Sequence, residues 1–263
     1  IFQPIIIDQM KKYQAGEIKD WTMPVPWAPN YWLEYTGGWA NTDWFKIDYK
    51  EWVPKSSHNF SLSGGDKRIQ FFLSGATFSQ EGLLRFGNDQ FSRDNFNAKI
   101  NVNVYDWLRL NFMSKYNRTN LDRPSYNKDQ FYANIARRWP TNGVYLPDGN
   151  LWPGGEQNWL QNGGRYKEET NELSLVPGIE IEPLSGWIIY ANYRWKSDAD
   201  GFSNHEAKVY GTFVDGTKLA LRPYNFFEVN QGHGYYNSPN IYSSYHKLLG
   251  KHDFTILAGF EQE

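Results

Sequence analysis

The alternation of apolar and polar residues from Asn95 to Asn117 constrains this chain more than any other feature. Phe96, Ala98, Ile100, Val102 and Val104 occupy one set of alternate positions, and Asn95, Asn97, Lys99, Asn101 and Asn103 the other. After Tyr105-Asp106 the pattern resumes, with Leu108, Leu110, Phe112 and Tyr116 set against Arg109, Asn111, Lys115 and Asn117. Successive side chains of a strand point to opposite faces, so a period of two specifies a sheet with one apolar and one polar side. Two such runs around a two-residue break specify a tight hairpin.

The same grammar recurs. Segments 57–64 and 68–78 pair around Gly65-Asp66-Lys67, segments 170–182 and 187–196 around Pro183-Leu184-Ser185, and 240–249 with 252–262 around Gly250-Lys251. Leu173, Leu175, Ile179 and Ile181 oppose Glu172, Ser174, Glu180 and Glu182; Trp187, Ile189, Ala191, Tyr193 and Trp195 oppose Tyr190, Asn192, Arg194 and Lys196. Eight strands follow, with short turns near 65, 105, 184 and 250 and long connections at 79–91, 119–168 and 200–239. Short turns at one end and long loops at the other are the arrangement of an outer-membrane β-barrel. Strands of ten residues or so suit a tilted membrane crossing better than the roughly 5–6 residues usual in soluble sheets. Tyr105, Trp107, Trp187 and Trp195 fall at strand ends, where an interfacial girdle belongs. A soluble, aromatic-rich β-sandwich or propeller that binds or hydrolyses carbohydrate is the alternative the pattern leaves open.

Composition removes other classes. Trp, Tyr and Phe make up 18 % of the 263 residues, too many for a disordered chain. No apolar run reaches the about 18 residues a membrane helix needs. With 27 basic and 29 acidic residues, the chain has no electrostatic footprint for nucleic acid. Cysteine is absent, which excludes disulfides, thiolate metal sites and a thiol nucleophile. No signal peptide is recognised at Ile1-Phe2-Gln3-Pro4. Residues 1–55 read differently from 56–263: a short helix over Ile5–Tyr13 ended by Gly16, then a stretch with Trp21, Pro24, Pro26, Trp27, Pro29 and Trp32, where proline removes backbone donors.

Several segments in order resemble the SusC-like (SusC/RagA) TonB-dependent outer-membrane transporters of Bacteroidetes. They are Asn41-Thr42-Asp43-Trp44, His58-Asn59-Phe60-Ser61-Leu62-Ser63-Gly64-Gly65, Phe71-Phe72-Leu73-Ser74-Gly75, Gln80-Glu81-Gly82 and Arg93 to Asn101. Asp106-Trp107-Leu108, Leu249 to Phe254 and Gly259 to Glu263 complete the set. The match is good over 41–120 and 240–263 and loose over 119–168. The resemblance implies an all-β fold: about eight antiparallel strands of a probable 22-stranded transmembrane barrel, without its plug, its TonB box or the remaining strands. It places 1–55 outside the cell as a loop region, and the chain in the outer membrane. It implies active import of oligomeric nutrients, glycan or peptide, with a SusD-like surface lipoprotein above, TonB below through regions absent from this chain, lipid around the barrel, and no chemistry on the substrate.

The candidate site residues are of two kinds. Asn97, Lys99, Asn101, Arg109, Asn111 and Lys115 are expected to line a polar lumen. Trp139, Tyr145, Trp152, Trp159, Tyr235 and Tyr236 lie among Asn, Gln and Gly in the long connections, a composition that suits sugar or peptide contact and equally suits packing of the loops. The five histidines show no metal-ligand spacing, and no cofactor is expected. Asp198-Ala199-Asp200-Gly201 matches the opening of a calcium loop without the later Glu, so a surface turn is the plainer reading. Glu168, Glu169 and the acids of 172–182 suggest a glycosidase pair only superficially, because neighbours on a strand point apart.

Overall fold

The computed structural model describes residues 4–21, 38–126, 128–212 and 216–263. Of the Trp- and Pro-rich stretch only Trp21 is among them. Helix α1 (Pro4–Gln14) and the short α2 (Trp44–Asp48) precede strands β1 (Lys55–Gly65), β2 (Ile69–Glu81), β3 (Gln90–Tyr105) and β4 (Leu108–Pro124). Next come α3 (Lys128–Ile135), α4 (Gln157–Asn162), β5 (Gly164–Leu184) and β6 (Trp187–Glu206). A small hairpin of β7 (Val209–Thr212) and β8 (Lys218–Arg222) leads to β9 (Phe226–Leu249) and β10 (His252–Glu261).

Eight strands form one antiparallel sheet in the order β1-β2-β3-β4-β5-β6-β9-β10. Neighbours in the sheet follow chain order, with β7 and β8 set aside between β6 and β9, and the sheet is an unclosed section of barrel with β1 and β10 as its edges. Each expected tight turn is present, and the chain reverses at Gly186 (φ 83°) and Gly250 (φ 65°), where a residue with a Cβ would be strained.

The strands are longer than the alternation predicts, and the connections correspondingly shorter. The long ones are 82–89, 125–163 and 207–225 rather than 79–91, 119–168 and 200–239. The reason is visible on the outward face. From the turn end, β4 carries Leu108, Leu110, Phe112 and Tyr116, then Arg118 and Asn120; β5 carries Ile181 to Leu173, then Asn171, Glu169 and Lys167. The apolar stretch from Leu108 to Tyr116 is nine residues, about 30 Å along a strand at about 3.3 Å per residue and about 23 Å of depth at a tilt of about 40°. That matches a lipid-facing band of about 25 Å. Beyond it both faces meet water, alternation of hydrophobicity ends, and the ladder continues regardless. Asp198 and Asp200 sit inside β6, paired with Glu172 and Thr170, so this segment is strand and not a surface turn.

The apolar side of the sheet has no protein against it. Phe60 is 65 % exposed, Leu110 42 %, Ile256 67 % and Phe260 58 %, all on the face opposite the Asn and Lys stripe. A soluble sandwich would bury that face against a second sheet, and a continuous apolar patch of this extent marks contact with another apolar medium. At the turn end the rings of Tyr105 and Trp107 stack at 5.5 Å, and Trp187 donates to Ser243 at 2.8 Å. At the opposite margin Tyr116 donates to Asn171 at 2.9 Å, Tyr193 donates to Asn237 at 2.6 Å, and the rings of Trp195 and Tyr235 lie 6.5 Å apart. Two aromatic margins with polar anchors bound the band, as at membrane interfaces.

Candidate transport lumen and extracellular cap

The strand register brings the six predicted lumen residues onto one face. Asn97 is opposite Lys115 and Asn101 opposite Asn111, with Lys99 facing Met113 and Arg109 facing Asn103. One strand further on, Arg109 meets Glu180 at 2.5 Å and Lys115 approaches Glu172 at 3.9 Å. Glu172 also takes Lys196 at 3.1 Å, which bonds Asp198 at 3.0 Å. Asn97 donates to Ser74 at 3.3 Å, and Asn117 to Glu172 at 3.2 Å. The result is a hydrogen-bonded polar wall. A cleft of about 550 Å³ opens on it, lined by Arg93, Asn95, Asn97, Lys115, Asn117 and Thr119.

The described residues of the long connections and of the segments before β1 fold together at the other end of the strands as a cap with its own core. Trp44, Leu84, Phe131, Ile135, Val144 and Leu160 form one buried cluster; Trp21, Ala40, Leu146 and Trp152 form a second. Helix α2 starts at Asp43, whose side chain accepts from the Lys46 amide, and places Asp48 inward. Asp48, Arg138 and Glu156 are each at least nine-tenths buried: Arg138 bonds Asp48 at 3.4 Å and Glu156 at 2.6 Å, and lies over the Trp44 ring at 4.4 Å. Gln157 donates to Asp48 at 2.6 Å; Tyr126 (2.7 Å) and Asn134 both donate to Glu156. Burial pushes the Asp48 carboxyl above the usual range, opposed by Gln157 and Arg138. Burial and its bond to Glu156 raise the Tyr126 phenol. Asn158 donates to the carbonyl of Tyr210 at 2.8 Å, which ties the cap to the β7–β8 hairpin.

The six aromatics singled out from sequence separate into three groups. Trp152 is buried, edge-on to Trp21 at 5.4 Å, and Trp159 is half-buried between Tyr126 (5.8 Å) and Arg222 (4.9 Å); both pack the cap. Trp139 and Tyr145 are exposed, and their carbonyls accept from Trp44 and Trp21. Tyr235 and Tyr236 belong to β9 and not to a loop, so they point to opposite sides: Tyr235 outward beside Trp195, Tyr236 inward opposite Lys196 and bonded to Glu263 at 2.7 Å. Sequence reasoning missed the stack of exposed Phe45 and Tyr132 on half-buried Tyr49, at 6.2 and 6.5 Å. The spacing of Phe45 and Tyr49, one helical turn apart, was the available signal. Among the described residues no group of acids and histidines converges as a metal site.

Comparison with known proteins decides what this wall belongs to. No family profile matches the chain. The TonB-dependent receptor SusC of Bacteroides thetaiotaomicron is 25 % identical over 86 % of this chain. The RagAB peptide importer superposes over 98 % of the chain with a TM-score of 0.69 in its closed-closed state and 0.65 in its open-open state, both at 17 % identity. The chain is similar to a section of SusC, and its fold is that of a section of the RagAB barrel. It spans 24 % of the length of SusC and 28 % of the RagAB chain.

Proposed function

We propose that the protein to which this section belongs imports oligomeric nutrients, glycan or peptide, across the outer membrane in a TonB-dependent cycle, without chemistry on the cargo. The observation that carries the reading is a sheet with an exposed apolar band outside and a hydrogen-bonded amide and charge wall inside, in a chain related to SusC. The described residues of 1–55 and of 125–163 are the extracellular cap, and a SusD-like surface lipoprotein docks above it. The exposed Trp139 and Tyr145 and the Phe45–Tyr49–Tyr132 stack are the surfaces offered to that lid or to cargo. TonB acts from the periplasmic side.

Uptake of a labelled oligomeric nutrient by cells carrying the full-length protein tests this. Cells with Trp139→Ala and Tyr145→Ala together should keep the protein in the outer membrane and lose lid co-purification or uptake. Recovery of the native protein as a soluble species, or uptake unaltered when the gene is deleted, would sink the import reading.

A further inference from the structure

The inward wall is divided by charge between its two halves. On β1 to β4 the inward positions carry Lys55, Arg93, Lys99, Arg109, Lys115 and Arg123, and no Asp or Glu. On β5 to β9 they carry Glu168, Glu172, Glu180, Asp198, Asp200, Glu206 and Glu228, with Arg194 and Lys196 as cations. The halves neutralise each other only along their seam, through Arg109–Glu180 and Lys115–Glu172. Among the described residues Lys55, Arg93, Lys99 and Arg123 have no carboxylate partner.

Two of these cations are arranged around one ring. Lys55 lies 5.2 Å and Arg93 5.8 Å from the centre of Phe78, whose outer neighbour is Phe91 at 6.1 Å. Ring contact holds a cation in place without neutralising it. Directly below, the 550 Å³ cleft is floored by Asn95, Asn97, Asn117 and Thr119 between Arg93 and Lys115. Lys115 and Thr119 bracket the outer aromatic margin at Tyr116, so the cleft sits at the extracellular mouth of the lumen. Both charged side chains lining the cleft are cations: among the described residues Arg93 has no carboxylate partner, and Lys115 is loosely shared with Glu172 at 3.9 Å. A cleft lined by one sign of charge concentrates its field. An Arg fork with neighbouring amides suits a carboxylate.

We propose that the β1–β4 wall at this mouth is a subsite for carboxylate groups of the cargo, which makes the preferred substrate an acidic oligomer. This rests on the import reading. The carboxylates can come from uronic-acid sugars or from peptide side chains and C-termini, and the two sources are separated experimentally.

The test uses the purified full-length protein in detergent and two matched pairs of probes. One pair is hexagalacturonate and its methyl-esterified form; the other is a hexapeptide with two Asp and the same peptide with Asn. The acidic member of one pair should bind at least about tenfold tighter, with the gap narrowing as salt rises from about 50 to about 500 mM and screening shortens to about 4 Å. The pair that shows the gap identifies the source. Arg93→Gln with Lys115→Gln should reduce the gap to under about twofold, and Arg93→Glu with Lys115→Glu should invert it toward a Lys-bearing peptide, which a folding defect would not do. Equal binding within both pairs, no binding of any probe, or a gap untouched by the variants overturns the subsite. Outer-membrane location and uptake in cells are read separately, so failure of the subsite and failure of import are distinguishable.

Discussion

The barrel wall and the cap solve opposite solvation problems with the same amino acids. In the wall, Leu110 and Phe112 face outward and remain uncovered by protein, while Asn111 and Lys115 face inward among hydrogen-bonding neighbours. In the cap, Trp44, Phe131 and Leu160 are buried, and so is an ion triad, Asp48–Arg138–Glu156. The wall has lipid to receive its apolar face, so it needs no second layer. Residues of the cap have water on the outside and must build a core from four separate segments, joined by hydrogen bonds that span up to 124 residues of sequence. The difference predicts that the two parts fail separately: the cap through its core, the wall through its lipid face.

The largest effect belongs to the triad. Arg138→Ala leaves Asp48 and Glu156 as uncompensated buried charges and should cost the cap about 3–5 kcal/mol. Hydrogen exchange in the full-length protein should show α4 opening, with protection of β3 and β4 unchanged. Loss of protection in the strands as well would join the two parts into one cooperative unit. Trp152→Ala removes a buried ring from the Trp21 cluster and should cost a similar or slightly smaller amount, about 3–5 kcal/mol, again confined to the cap. Trp139→Ala, at an exposed ring, should change stability by under about 0.5 kcal/mol. If the two Trp variants are equally destabilising, the distinction between packing and presented aromatics fails.

On the wall, the sharpest contrast is between adjacent residues. Leu110→Arg places a cation in the lipid band and should destabilise the inserted barrel by about 2–4 kcal/mol. Asn111→Arg, one residue on and facing the polar side, should cost well under that. Denaturant titration of the full-length protein in bilayers measures both, and equal losses would mean that the sheet faces are misassigned.

The wall was legible in sequence because lipid on one side and water on the other force alternation, and alternation then dictates register. Pairs such as Asn97–Lys115 and Asn101–Asn111 follow once the hairpin turn is placed. Legibility stopped at the outer margin. Beyond Tyr116 and Trp195 both faces are wet, so Asn120, Asp198 and Asp200 carry no periodic signal and read as loop or turn although they are strand. Tyr235 and Tyr236 read as loop aromatics for the same reason, and the ladder sends them to opposite faces. The cap was illegible in a different way. Asp48 and Arg138 lie 90 residues apart in sequence, and no local pattern distinguishes a buried acid in a five-residue helix from a solvated one.

Asp48 provides the most discriminating test, because its two environments pull in opposite directions. Burial raises its pKa, while Gln157 and Arg138 lower it, and burial prevails. A carboxyl with a folded pKa above its unfolded value holds its proton more tightly when folded. Its stabilising contribution is therefore complete below the unfolded value and is lost as pH rises through the folded one. At pH about 8 the charged Asp48 carries its full burial cost, so Asp48→Asn, which keeps an acceptor for Gln157, should stabilise the cap by up to about 1 kcal/mol. As pH falls through the raised pKa the wild-type side chain becomes neutral too, and the difference should shrink toward zero. Protection of α4 amides, corrected for intrinsic exchange at each pH, reads both limits. An Asn variant less stable than the wild type at pH about 8 would show that attraction to Arg138 outweighs burial, and the triad would then be a net source of cap stability and not a charge the core tolerates.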